Sequence, residues 1–284
     1  MKTSTALLRR SRPVLGTYVE IAVFLDSTDA AIAAVEQAFE AMLDVQRRLA
    51  FHCPLSDVAR INSAQAGETV PVHPWTAEVL DLAHELCVAS DGRFDCCTGG
   101  RGGSVLDVEL LDDGAVMVHR PVRLNLGGIA TGFAVDRAVD ALSAGGIGSA
   151  MVNAGGDLRV LGHLPHALHV RWPRASSAAV VYLGDLANGA AATAALPLSA
   201  GLASGLASGL VSGPASGQFG GYAKARAGWT GSGAGGEEGH AASRGLTVLA
   251  PLCAVAKGLS AALGMGEISG GGFLGRFDAR AILV

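Results

Sequence analysis

The stretch Leu124-Asn-Leu-Gly-Gly-Ile-Ala-Thr-Gly-Phe-Ala-Val-Asp-Arg-Ala138 reads as a short strand, a glycine turn and an amphipathic helix. Glycines at such a turn let backbone N–H groups approach a ligand, and the helix behind aims its positive end at the same place. That arrangement suits a phosphate. Val152-Asn-Ala-Gly-Gly-Asp157 follows as a second glycine turn, within a hairpin of Met151–Ala154 and Leu158–Leu161. The block Gly127-Gly-Ile-Ala-Thr-Gly132 matches neither G-x-G-x-x-G nor G-x-x-x-x-G-K-[ST], so the dinucleotide-fold and P-loop readings are weak.

The elements that must position these turns are legible in part. Residues 17–25 read as a strand. Ile32, Val35, Phe39, Met42 and Leu49 recur at helical spacing and read as a core face. Ser56 suits the cap of a short helix, Pro74 the first turn of another, and Asp91-Gly92 its stop. That helix is expected to bury Val79, Leu82 and Leu86. Short strands are expected over 105–111, 116–118 and 122–124, and again over 246–250 and 279–284, with a helix over 252–264. The layout is α+β, with mixed, mostly antiparallel sheets and packed helices. Residues 1–284 read as a single domain. Residues 196–245, rich in Gly, Ala and Ser, read as a flexible insertion within it.

A net charge of −4 gives no footprint for nucleic acid, and no apolar run approaches the roughly 18–20 residues of a membrane span. Arg9-Arg10 is followed by strand-like sequence, not by an export signal's apolar segment, so the expected compartment is the cytoplasm. The five cysteines (53, 87, 96, 97 and 253) form no C-x-x-C pair and read as unpaired thiols.

Ordered blocks along the chain resemble the ApbE-type FAD:protein FMN transferases. They are Arg12–Ile21, Phe51–Asn62, Ser90-Asp-Gly-Arg-Phe-Asp95, Leu126–Arg137, Val152–Leu158 and Thr247–Pro251. The resemblance implies FAD as substrate, Mg²⁺, and attachment of FMN to a Thr or Ser of a flavin-acceptor protein. It further implies that His52, Ser56, Asp57, Gly92, Phe94 and Asp95 lie around the flavin nucleotide. By the same resemblance Gly127, Gly128, Thr131 and Gly132 approach the phosphates, with Asn153, Gly155, Gly156 and Asp157 completing the wall. Ala130, through its carbonyl, and Ser260 are the implied metal ligands. Plainer readings stand beside these: Ser56 as a helix cap, Gly155-Gly156 as a hairpin turn, Asp157 as a turn residue, and Asp136–Arg137 as a solvated helix pair.

The chain also departs from the family pattern. Thr131 replaces a lysine, Asn125 an acidic residue, and His52 an aromatic. Lys257 stands where a metal-binding aspartate is expected. A protonated lysine cannot ligate Mg²⁺, although its ammonium can pair directly with a pyrophosphate. The family's H-I-I-D-P-x-T-G type segment is missing, which leaves His240 as the nearby candidate for an acid–base role, beside the plainer reading, which the lone histidine favours, of a solvated side chain. A degenerate member that binds FAD or a protein partner without transfer is the alternative reading.

Overall fold

The computed structural model describes residues 6–25, 28–97, 102–171, 180–196, 244–264 and 271–283. Leu15 (φ 58°) and Gly16 (φ 72°) close a tight hairpin between β1 (Ala6–Val14) and β2 (Thr17–Leu25). Arg9 and Arg10 lie within β1, opposite Ala22 and Ile21. The helix α1 (Thr28–Leu49) follows. Its buried stripe is Ala31, Ala34, Val35, Ala38, Phe39, Met42, Val45 and Leu49. Ile32, expected in the core, is 39% exposed, because it sits one residue, or about 100° of helix, from Ala31.

Next come α2 (Asp57–Ser63), β3 (Glu68–Pro71) and α3 (Pro74–Ala89). Pro74 opens α3, and Asp91 (φ 52°) and Gly92 (φ 74°) turn the chain away after it. The strand expected from residue 105 begins later. Ser104 and Asp107 form a reciprocal capping box that winds Val105–Asp107 into a single 3-10 turn. The strand β4 is only Val108–Leu110, and β5 is Ala115–Val118. Residues 122–124 do not form a strand; their one bridge is Leu124 to Cys97.

The remaining elements are α4 (Gly127–Ala144), β6 (Ala150–Ala154), β7 (Asp157–Leu161), β8 (His166–Arg171), β9 (Val180–Leu186) and β10 (Gly189–Leu196). After them come β11 (Arg244–Ala250), α5 (Cys253–Gly264), α6 (Gly271–Arg276) and β12 (Arg280–Leu283). Apart from its ends, the segment 196–245 lies outside the described residues.

Seven strands form one antiparallel sheet in the order β1-β2-β6-β7-β10-β11-β12. Side chains alternate across it. On one face Val19, Ile21, Val152, Ala190, Ala192, Leu246 and Val248 join the main core beneath α1, α4 and α5. On the other, Val160, Ala191 and Leu249 pack with Leu168 and Leu186 of the β8–β9 hairpin. A separate three-stranded sheet, β3-β5-β4, lies beside α3. Among the described residues no helix is long and apolar enough to cross a membrane. All five cysteines are free thiols.

Candidate functional site

The first glycine block is not a loop before a helix, since α4 starts at Gly127 itself. Its entry is held by side chains. The Asn62 amide accepts from Leu124 N (2.6 Å) and donates to Leu124 O (2.9 Å), as a neighbouring strand would. Asn125 Oδ1 accepts the Gly127 N–H at 3.0 Å. The N-cap position, Leu126, offers no side-chain cap. Gly128 therefore presents its N–H without an intrahelical partner, as the first-turn donors of any helix do. Gly127, Gly128 and Thr131 share a face by helical spacing and are exposed or half-buried.

Phe94 lies beneath this turn: a Cβ at residue 128 would sit 3.5 Å from its ring. The loop carrying Phe94 is tied down from within. Ser90 Oγ accepts from Phe94 N (3.0 Å), while Asp95 Oδ1 accepts from Cys97 N (2.8 Å) and Val105 N (3.0 Å). Gly92 supplies the positive φ of that turn. Burial, then the Asp95 carboxylate, raises the Cys96 and Cys97 thiols, Cys97 to about 12. Neither sulfur is a thiolate nucleophile at neutral pH.

Gly132 is buried and faces another part of the protein. A Cβ there would lie 2.4 Å from the Cys253 carbonyl oxygen, so only glycine permits this approach of α4 to α5. One turn on, Asp136 is not the solvated residue expected. It is 1% exposed, and its carboxylate accepts from Cys253 N (2.9 Å), Ala254 N (2.8 Å) and Arg159 Nη1 (3.0 Å). The first turn of α5 follows Leu252, which cannot cap it, so Asp136 supplies the missing acceptor from a distant helix. A helix start with no capping residue of its own was the signal for this in the sequence. Burial pushes the Asp136 carboxyl up, and Arg159 and the two N–H groups oppose that shift.

The second glycine turn forms as expected between β6 and β7. Gly155 (φ 63°) and Gly156 (φ 104°) supply it, and Asn153 Oδ1 accepts the Gly156 N–H at 2.9 Å. Asp157, first residue of β7, receives the Lys257 ammonium at 3.2 Å on Oδ1 and 3.0 Å on Oδ2. Burial raises the Asp157 carboxyl above its ordinary range, and Lys257 offsets part of that rise. Ile129 packs toward Gly258 and Gly132 against Cys253, so α5 runs antiparallel to α4 and Lys257 stands level with the first turn of α4.

Ser56 and Asp57 work inside their own corner. The buried Ser56 hydroxyl donates to Ala50 O (2.7 Å) and accepts from Ala59 N (3.0 Å). Asp57 accepts from the Thr76 hydroxyl (2.6 Å), His73 N (2.8 Å) and Arg60. Burial would raise its carboxyl, but these partners outweigh that and hold it below the usual range. His52 is exposed, edge-on to Phe51 at 4.9 Å, and Arg123 covers the Phe51 ring at 5.3 Å. His240 lies outside the described residues.

The donor set does not fit a divalent metal ion. Ala130 is the fourth residue of α4, with its carbonyl directed along the helix ladder. The Ser260 hydroxyl donates to Lys257 O at 2.8 Å. The Asp157 carboxylate, which reaches α5 at Lys257, is already neutralised by that ammonium. Among the described residues no group of three or more His, Cys, Asp or Glu could hold a metal.

Comparison with known proteins supplies the family context. The model of the ApbE family matches residues 15–101 and 104–196, more than half of the chain. The FAD:protein FMN transferase of Rhodobacter capsulatus is 29% identical over 134 residues, which cover 37% of this chain and 26% of that relative. The chain thus spans about a quarter of the curated relative it matches. The apo flavinyl transferase ApbE of Pseudomonas stutzeri superposes with a TM-score of 0.70 at 20% identity, covering 100% of this chain and 92% of its own. The flavin transferase ApbE of Vibrio cholerae gives 0.71 at 17% identity, with 98% and 93% covered. The ApbE protein of Thermotoga maritima gives 0.70 at 20% identity, with 98% and 94% covered. At such identities these likenesses establish a shared fold.

Proposed function

The chain belongs to the ApbE family, and on that premise we propose that it binds FAD and transfers the FMN half to a Ser or Thr hydroxyl of an acceptor protein. The observation that carries this reading is the open first turn of α4. Gly127, Gly128 and Thr131 form one accessible face over Phe94, with Lys257 level with it. Backbone donors on glycine can come within hydrogen-bonding distance of a pyrophosphate, and the helix's positive end favours its charge. Asn153, Gly155, Gly156 and Asp157 would wall the site on the sheet side. Gly132 would act from behind, by holding α4 against α5.

The flavin nucleotide would lie toward Gly92, Phe94 and Asp95, with His52 offering a ring edge. Ser56 and Asp57 would support that side as scaffold, given their internal partners. In the transfer, the acceptor hydroxyl oxygen attacks the FMN phosphorus. The phosphorus–oxygen bond to AMP breaks, AMP leaves, and the hydroxyl proton passes to a base, for which His240 is the candidate. Mg²⁺ chemistry, expected from the family resemblance with Ala130 and Ser260 as ligands, enters no step here.

The test is to incubate the purified protein with FAD, with and without a flavin-acceptor protein, and to follow AMP release and covalent flavin by gel fluorescence and mass spectrometry. Equimolar AMP and protein-bound FMN are expected. No AMP above the protein-free control refutes the transfer. A second reading, nucleotide binding without transfer, is favoured by the closed Lys257–Asp157 pair. It predicts bound FAD that is recovered intact.

A further inference from the structure

We infer that Lys257 is a built-in counter-ion, through which this chain holds a nucleotide pyrophosphate without a divalent metal. The inference rests on the nucleotide-binding half of the reading above. It starts from the asymmetry of the Lys257–Asp157 pair. The Asp157 side chain is 6% exposed and that of Lys257 is 27% exposed, so the pair is buried on its acid side and wet on its base side.

An ammonium has three N–H donors. Asp157 takes Lys257 through its two oxygens, at 3.2 and 3.0 Å, which leaves at least one donor for a third oxygen on the open side. By helix pairing Lys257 is level with the first turn of α4, and Gly128 in that turn offers its own unpaired N–H. A phosphate oxygen there would meet one fixed cation and one backbone donor. Asp157 orients the ammonium, because separating the pair would leave the buried carboxylate without a partner.

The same geometry works against a metal. A divalent cation placed against Asp157 would have to displace the ammonium or sit beside it, and like charges repel. Among the described residues, the carboxylates of α4 are already engaged. Asp136 is engaged by Arg159 and two backbone N–H groups, and Asp140 by Arg137 at 2.9 Å. One positive charge is thus already covalently part of α5, and Asp157 offsets it while the pair is closed. Group transfer is not required for this inference; it concerns binding alone.

The experiment is FAD binding to the full chain by flavin fluorescence, in EDTA and in excess Mg²⁺, together with Mn²⁺ binding to the nucleotide-free protein by electron paramagnetic resonance. The expected wild-type FAD affinities agree within about twofold in the two buffers, with no stoichiometric Mn²⁺. Lys257→Asp should bind Mn²⁺ and bind FAD at least about tenfold more tightly with Mg²⁺ than in EDTA. Lys257→Arg should retain metal-free binding. Because Lys257→Met leaves a buried carboxylate unpaired, the double variant Lys257→Met/Asp157→Asn tests the loss of the cation with neutral packing. It should lose about tenfold or more in affinity in either buffer.

Wild-type affinity that rises tenfold or more with Mg²⁺, stoichiometric Mn²⁺ on the wild type, or no Mn²⁺ on Lys257→Asp overturns the counter-ion role alone. Failure of the wild type to bind FAD in either buffer overturns the nucleotide reading, and this inference with it.

Discussion

Replacing Asp136 with alanine removes one carboxylate but disconnects three donors. Cys253 N and Ala254 N, at 2.9 and 2.8 Å, lose their cap, and Arg159 Nη1 loses its hydrogen-bond acceptor at 3.0 Å. Loss of an N-cap costs about 1–2 kcal/mol. Leaving a buried N–H unsatisfied costs about 1–3 kcal/mol. Breaking a buried ion pair from one side costs about 3–5 kcal/mol, and these terms overlap, so about 4 kcal/mol is the expected total. That is a large share of a stability of about 5–15 kcal/mol. At about 2–4 °C per kcal/mol for a chain of this size, the melting temperature should fall by roughly 8–16 °C. Asp136→Asn keeps one carbonyl acceptor and should cost about half as much. Asp140→Ala, four residues on and 49% exposed, is the control on the same helix, with an expected change within about 0.5 kcal/mol. Equilibrium urea denaturation and thermal melting followed by circular dichroism give both numbers. A loss below about 1 kcal/mol for Asp136→Ala would refute the claim that this side chain holds the start of α5.

Gly132→Ala should destabilise by about 1–3 kcal/mol in the same melts, because its Cβ would meet the Cys253 carbonyl at 2.4 Å and backbone must shift. Asn62→Asp keeps the acceptor for Leu124 N but turns the donor facing Leu124 O into an acceptor; it should cost about 1–3 kcal/mol and weaken FAD binding through the displaced entry to α4. Acid titration of stability should carry a term from Asp57, whose folded carboxyl lies below the ordinary 3.8. Its contribution is present above that value and is lost as pH falls through the lower folded one, and Asp57→Asn should remove that part of the slope. Asp157, raised by burial, acts with the opposite sign, so its contribution declines as pH rises through the interval above 3.8.

Local chemistry made several elements legible. Pro74 at a helix start, Asp91-Gly92 past its end and Gly155-Gly156 between two apolar runs each act within a few residues. Their elements were readable as written. β10 was not, because Gly-Ala-Ala-Ala-Thr-Ala-Ala-Leu carries no strand propensity. It is a strand because β7 and β11 pair with it on both sides and α5 packs on its small side chains. β1 escaped for a different reason. Its arginines and Pro13 suit only an edge strand, and the edge is set by β2. The reverse error arose at Val105, where apolar residues suggested a strand and the Ser104–Asp107 capping box imposed a turn.

The same distinction divides the glycine block itself. Gly127 is exposed and Gly128 and Thr131 are half-buried, while Gly132 and Asp136, one turn apart, are buried and face Cys253. One side of α4 is thus available to a ligand, and the other fixes where α5 begins. Since α5 carries Lys257, the joint between Gly132, Asp136 and Cys253 also sets how far the ammonium stands from the first turn of α4. A change at Asp136 should therefore reach nucleotide binding without touching a nucleotide. Loss of the cap frees the first turn of α5, the Lys257–Asp157 pair loses its fixed geometry, and the cation is no longer held at one height. If Asp136→Asn bound FAD with wild-type affinity while destabilising the fold, the two sides of α4 would be energetically separate, and the scaffold would not govern the site.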